Sequence, residues 1–429
     1  MGTLCITGGR VLRPDHSVID ANVLIDTGAG TIEAIEPDLD GEETIDASGG
    51  LVVPGLVNGH GHAAMTLLRG HADDKRLEDW LREDIWPVEA ELTPDDIRAG
   101  TELALVEMIR SGVTAFSDMY FALEEVAAAV EEAGLRARIG HGIITVGKDE
   151  SAAREDLETG VSIARRFDGA ADGRIRTALM PHSLTTVGEE YLAEVATIAA
   201  DEGLWLHVHA NETEAEVDPV VDERGQRPLE YAEELGLLGE ETFLAHCVHV
   251  DDREIELLAE TGTNVVHCPA SNMKLASGIA PVQQLLDAGV TVGIGTDGPA
   301  SNNDLDVFDE LRDAAMVGKL ADGDASNVAA DAAVKLATEW GAEAIGLPGG
   351  RLEEGGVADV AVIDFEAPHL TPVHDYVSHL AYAVRGSDVR HTICDGRVLL
   401  RDREIQTLEE RSVVNRAADR AKSLVDRAD

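Results

Sequence analysis

The stretch PGLVNGHGHAAM, residues 54–65, places His60 and His62 two positions apart directly after the apolar run LVVPGLV. Side chains at i and i+2 of a strand leave the same face, so a strand here would aim two imidazoles at one place. Glycines beside both histidines leave room where backbone must pass close to a bound metal and substrate. The pair alone carries little weight: 15 His in 429 residues give about half an H-x-H by chance. Its meaning depends on whether the rest of the chain completes a site.

Seven further apolar runs follow: GVTAFSDM, RARIGHGII, RIRTALMPHS, LWLHVHANE, TFLAHCVHV, TNVVHCPAS and VTVGIGTDG. Segments of helical periodicity separate them. In TPDDIRAGTELALVEMIRSG, Thr93 can cap a helix and Pro94 suits its first turn; Asp95 and Asp96 favour the positive end, and Gly112 ends it. Buried strands alternating with helices predict an α/β fold, the (β/α)8 TIM barrel, with the active site at the C-terminal ends of the strands. Polar residues should interrupt the runs there, and they do. His60 and His62 end the first, Asp118 the second, His141 the third and His182 the fourth; His209 and Glu212 follow the fifth, His246 the sixth, His267 the seventh and Asp297 the eighth. So regular a placement predicts one shared metal or catalytic centre.

Residues 3–53 read instead as short strands and turns, and the same texture returns in GGVADVAVIDF and VRHTICDGRVLLRDREI. This predicts a small β-sandwich domain built from both chain ends: residues 1–55 and 349–406 around a barrel of residues 56–348, with a helix over 407–429. That last segment, LEERSVVNRAADRAKSLVDRAD, is amphipathic and would pack on its own subunit or on a neighbour. Residues 66–92 are long for a loop, and predict a lid with helical pieces that carries Trp80, Trp86 and Glu89.

Composition narrows the class of function. There are 82 acidic and 34 basic residues, a net charge of -48. Such a surface repels nucleic acid and anionic membranes, and its self-repulsion calls for screening by salt. The acidic residues are spread along the chain, which reads as a whole-surface adaptation to a salt-rich cytoplasm. Cys5, Cys247, Cys268 and Cys394 form no C-x-x-C pair, so neither a disulfide framework nor a zinc knuckle is expected. No signal segment and no long apolar window is present, which predicts a cytoplasmic protein without a membrane partner.

The strand-end residues have a coherent chemistry. His60, His62, His209 and Asp297 can provide three nitrogens and one oxygen to a divalent metal, leaving a position for water. Glu212, three residues beyond His209, can carry a proton; His246 can hydrogen-bond the activated water; Asp297 can combine ligation with general-base work. His207 shares the face of His209 and is either a ligand or filler of the barrel interior. His267 is either an outer partner of the metal site or a packing residue.

At these residues the chain resembles the amidohydrolase superfamily, in particular its 5-methylthioadenosine/S-adenosylhomocysteine deaminase-like branch. The matching text includes PGLVNGHGHAAMTLLRG, EDWLREDIWPVEAELT, PHS, HVHANETEAEV, AHCVH, HCPASNMKLASGIAPV and GTDGPASNNDLDVFDELR. The resemblance implies a single zinc ion, with iron also compatible, held by His60, His62, His209 and Asp297. PHS stands where binuclear relatives carry a bridging lysine. It further implies that Glu212 protonates the purine ring, that His246 orients the hydroxide attacking C6, and that Asp297 passes a proton to the departing ammonia. Glu89 and His182 match positions that contact sugar and base, and Trp86 either stacks on the base or packs the lid. Members that take S-adenosylhomocysteine carry an arginine where this chain has His141, and Arg154 matches a second arginine. The expected substrates are thus adenosine-type nucleosides: 5′-methylthioadenosine, S-adenosylhomocysteine, 5′-deoxyadenosine or adenosine. Barrels of this type often associate, so a homo-oligomer is compatible.

Other reactions share the metal motif, namely guanine- or cytosine-type deamination and triazine dechlorination, and the lid and third-strand loop decide among them. A non-catalytic scaffold would show missing ligands, whereas every metal and proton-transfer position here is filled.

Overall fold

VTAFSDMY, RARIGHGI and TFLAH are buried at every position, as strands covered on both faces must be. The computed structural model, which describes residues 2–428, places them in one sheet of eight strands in chain order. These are β1 (Leu56–Asn58), β2 (Val113–Tyr120), β3 (Arg136–Ile143), β4 (Ile175–Pro181), β5 (Trp205–Ala210), β6 (Thr242–His246), β7 (Asn264–His267) and β8 (Val292–Ile294). Every neighbouring pair is parallel. The sheet curls until its edges meet: Gly59 N–H donates to Ile294 O at 2.8 Å and Asp297 N–H to His60 O at 3.0 Å. The expected barrel is present.

The seam explains Gly59 of GHGH, and Gly295 across from it, better than the sequence did. A Cβ on Gly295 would lie 2.5 Å from His60 N, and one on Gly59 3.0 Å from Ile294 O. These residues let β1 and β8 approach each other, and the expectation that Gly59 makes room for substrate is corrected. Asn58 clips the same seam, accepting from Thr296 N at 2.9 Å and donating to Thr296 Oγ1 at 2.8 Å. The two edges that carry His60, His62 and Asp297 are thereby held in register.

Around the barrel lie the helices. Pro94–Arg110 starts as its sequence predicts: Thr93 caps it, and Asp96 accepts from the Thr93 backbone N–H at 2.9 Å in return. The C-terminal helix, Glu410–Ala428, buries Val413, Ala417 and Leu424. It packs on Pro94–Arg110 of its own chain, where Arg427 reaches Asp96 at 2.6 Å and Arg110 reaches Glu410 at 2.9 Å.

The apolar run before GHGH is divided at Gly55. Gly50–Pro54 leaves the barrel and pairs antiparallel with Val360–Asp364 in a seven-stranded sheet drawn from both chain ends. A four-stranded sheet of Thr3–Thr7, Asn22–Asp26, Thr31–Glu36 and Glu43–Asp46 faces it. Leu4, Ile6, Val23 and Ile25 meet Val52, Val360 and Ile393 between them, which makes the small unit a sandwich. Among the described residues no helix is long and apolar enough to cross a membrane.

Candidate metal centre and active site

Hydrogen bonds at the back of each ring decide what the imidazoles present to one another. His62 and His209 commit Nδ1 to backbone carbonyls, those of Met119 and His182, each at 2.7 Å. A carbonyl only accepts, so Nδ1 carries the hydrogen and, in the neutral ring, Nε2 keeps its lone pair. These two Nε2 atoms lie 3.3 Å apart. His60 Nε2 is buried without a hydrogen-bond partner. Asp297 Oδ1 lies 3.4 Å from His60 Nε2 and 3.3 Å from His62 Nε2. Its Oδ2 accepts from Ser271 Oγ at 2.6 Å and Ser301 Oγ at 2.7 Å.

Adjacent lone pairs repel unless a cation lies among them. Tetrahedral bonds of ~2.0–2.1 Å place neighbouring ligand atoms roughly 3.3 Å apart, which is the spacing seen here. The orphaned His60 nitrogen and this donor set fit one divalent metal ion. Electrostatics agree. Burial holds His209 well below the usual histidine range and takes His60 down to about 4. Burial works against charge on Asp297, but the His60 and His62 rings beside it keep it well below the carboxylate range. His62 is also opposed by burial, yet the hydrogen bond and charge of Asp297 lift it to about 9. A metal ion would take the place of that proton.

Three residues beside this set stand on strained backbone. His246, Cys247 and Asp297 have φ of 73°, 47° and 58°, left-handed values that cost non-glycine residues ~1–3 kcal/mol and cluster where function demands them. His246 Nδ1 faces Asn272 Oδ1 at 2.9 Å, and its Nε2 lies 3.7 Å from Glu212 Oε2. Glu212 Oε1 accepts from Ser277 Oγ at 3.2 Å. Burial raises the Glu212 carboxyl. Burial opposes charge on His246, but Glu212 and Asp297 outweigh it and raise the ring. Glu216 lies beside Glu212, accepts its backbone N–H at 2.9 Å, and is pushed up to about 7 by burial.

Above the set opens a cavity of about 860 Å³. Its roof is the expected lid, formed by Leu77–Trp80, Leu81–Ile85 and Trp86–Glu89. Thr213 Oγ1 donates to Glu78 Oε1 at 2.9 Å, tying the lid to the segment after β5. Glu89 enters the cavity and accepts from Tyr120 OH at 2.6 Å, and burial raises its carboxyl. Trp86 lines the cavity and remains 45% exposed. His182 also faces inward, with Nδ1 3.0 Å from Thr186 Oγ1, and burial takes its ring to about 4. Leu77, Leu81, Phe121, Ile144 and Val146 add apolar surface to the cavity, and Arg82 and Lys148 also line it.

Two expected substrate contacts are corrected. His141 points from β3 toward the helix Glu150–Phe167, its Nε2 3.0 Å from Asp156, because its neighbours Gly140 and Gly142 occupy the inward positions of the strand. Arg154 lies on that helix outside the cavity, paired with Glu194 at 2.6 Å and stacked 5.1 Å over Tyr191. Asp118 also stays apart from the donor set: its Oδ1 accepts from Ala63 N at 2.7 Å and so braces the turn after His62. His267 is buried with Nδ1 unpartnered, and burial takes it to about 3, which fits packing. The sequence reading missed Asn58, Tyr120, Glu216, Ser271, Asn272, Ser277 and Ser301. Most lie in quoted motifs, but a single serine or asparagine has no periodic pattern to mark it.

Residues 51–399 match the Amidohydrolase family. The chain is 65% identical over 430 residues to the 5-methylthioadenosine/S-adenosylhomocysteine deaminase of Haloarcula marismortui, covering 100% of both. It is 44% identical to the 5′-deoxyadenosine deaminase of Methanosarcina mazei over 100% of this chain and 99% of that one. A crystal structure of an adenosine deaminase from Xanthomonas campestris with bound zinc superposes with a TM-score of 0.94 at 35% identity, covering 99% of this chain and 98% of that one. The barrel, the converging donor set and these likenesses have one explanation: the chain belongs to the amidohydrolase family.

Proposed function

We propose that the chain is a hydrolytic deaminase of adenosine-type nucleosides that replaces the 6-amino group of the purine by oxygen and releases ammonia. The observation that carries this reading is the convergence of three imidazole lone pairs and Asp297 Oδ1 below an apolar cavity with a buried carboxyl, Glu212, in its wall. Relatives named for methylthioadenosine, S-adenosylhomocysteine and 5′-deoxyadenosine support it.

His60, His62, His209 and Asp297 would hold the ion. Zinc is supported by the donor set and by the zinc of the Xanthomonas enzyme, although iron accepts the same ligands. When bound, such an ion lowers the pKa of water to about 7 and supplies hydroxide near neutral pH. The chain's own residues complete the reaction. Glu212, whose carboxyl burial raises, delivers a proton from Oε2 to N1, which makes C6 electrophilic. His246, anchored by Asn272, directs Nε2 at the attacking oxygen. Asp297 accepts the remaining hydroxyl proton once the C6–O bond has formed and passes it to the amine as the C6–N bond breaks, while Ser271 and Ser301 fix its carboxylate plane. Glu89, held by Tyr120, suits ribose hydroxyls, and His182 has Nε2 free for the nucleoside. Trp86 covers the base from the lid.

The test is ammonia release by the purified, metal-loaded protein. Methylthioadenosine, 5′-deoxyadenosine and adenosine should all be deaminated. Activity confined to guanine, cytosine or chlorotriazines would overturn the proposal.

A further inference from the structure

We propose that His207 is a positioning residue for His60, selecting which nitrogen of that ring faces the metal. The inference rests on the reading of His60 as a ligand.

His207 lies two residues before His209 on β5, on the same inward face but one layer deeper, and it is fully buried. Its Nε2 is 2.8 Å from His60 Nδ1, and its Nδ1 is 3.0 Å from Phe243 O of β6. Two proton arrangements satisfy the contact between the rings. In the first, His207 Nδ1–H donates to Phe243 O, His60 Nδ1–H donates to His207 Nε2, and His60 Nε2 turns a lone pair toward the site beside Asp297 and His62 that would hold the metal. In the second, every hydrogen is reversed. A bare Nδ1 would then oppose the Phe243 carbonyl, and His60 would aim a hydrogen at the metal set. The carbonyl can only accept, so it enforces the first arrangement.

His62 and His209 are oriented by carbonyls directly. His60 is packed among the rings of His62, His207, His209 and His246, and the carbonyl of β6 reaches it only through one of them. That ring is itself held flat on Phe243, with centroids 4.0 Å apart and planes 10° from parallel. Outer partners of this kind typically change metal affinity by ~10–100-fold.

The test compares zinc affinity of full-length wild type, His207→Phe, His207→Gln and His60→Ala by competition with a chromophoric chelator. His207→Phe keeps an aromatic ring on Phe243 but removes the acceptor, and should bind zinc ~10–100-fold more weakly. His207→Gln, whose amide oxygen can accept from His60, should recover most of that loss. The inference falls if His207→Phe binds zinc as wild type does while His60→Ala does not, or if glutamine rescues nothing. If His60→Ala binds zinc normally, the ligand reading fails and the inference goes with it. If His207→Phe does not fold, 15N NMR of histidine-labelled, zinc-loaded wild type decides. Hydrogen on Nδ1 of both rings supports the proposal, and hydrogen on His207 Nε2 overturns it.

Discussion

Replacing Glu212 by glutamine removes one proton from the site and almost nothing else. Glutamine keeps the length of the side chain and an oxygen to accept from Ser277, which lies 3.2 Å from Oε1 in the native site. It adds no charge beside His246, 3.7 Å away, and Glu212 is outside the set of nitrogens that would hold the metal. Metal content should therefore stay at the wild-type level. A positioned general acid contributes ~10²–10⁴-fold. The carboxyl is buried, so bulk water is a poor substitute for it, and a loss of roughly 10³ in kcat/KM is expected, or ~4 kcal/mol of barrier. The pH profile is a second readout. Burial raises the Glu212 carboxyl, so its acid form is complete below the raised pKa and is lost as pH rises through it. Wild-type kcat/KM should contain that alkaline decline, and Glu212→Gln should lack it. Ammonia release followed across the neutral range, with metal analysis of each sample, measures both. A variant that keeps more than about a tenth of wild-type activity, or one that loses its metal, would refute the assignment.

Other outcomes follow from the same coordinates. Asp96 accepts from Thr93 N at 2.9 Å and from Arg427 at 2.6 Å. Burial opposes its charge, but the Thr93 hydrogen bonds and Arg427 outweigh it and keep the carboxyl below its ordinary value. Asp96→Asn should cost about 2 kcal/mol near neutral pH. That difference should persist above the unfolded pKa of about 3.9 and close as pH falls through the lower folded value; equal thermal stability at neutral pH would contradict it. S-adenosylhomocysteine should be deaminated at least about tenfold less efficiently than 5′-deoxyadenosine, because the cationic side chains that line the cavity are already paired and leave the charges of its tail without partners. Lys148 is held by Asp156 at 3.0 Å and Arg82 by Asp79 at 2.8 Å. Equal kcat/KM for the two substrates would show that an anchor for the tail exists. With a net charge of -48, the melting temperature should rise steeply as salt shortens the screening length from ~10 Å at 0.1 M to ~3 Å at 1 M. A fall over that range would remove the halophilic reading of the surface.

What the sequence made legible was the periodic part. Strand ends in a barrel are recurrent positions, so a histidine or carboxylate at each one could be located by counting alone. His141 shows the limit of counting. It ends the third apolar run, but RARIGHGI is buried on both faces, and nothing in its composition says that Gly140 and Gly142 take the inward positions while His141 meets Asp156. Arg154 fails for another reason: it belongs to the exposed face of a helix, where its pairing with Glu194 depends on the neighbouring helix. Contacts across the barrel were invisible as well. His60 and His207 are 147 positions apart, and Tyr120 meets Glu89 only because the lid folds back over β2. Asn58 sat inside the opening motif, yet its clip on Thr296 becomes visible only when β8 closes on β1.

The central claim is one divalent ion at His60, His62, His209 and Asp297 serving a deaminase. Its most direct test is to titrate chelator-stripped protein with zinc while following ammonia release from methylthioadenosine. Activity should begin near zero and rise linearly to a break at one equivalent. Full activity before any zinc is added, or a break at two equivalents, would contradict the account.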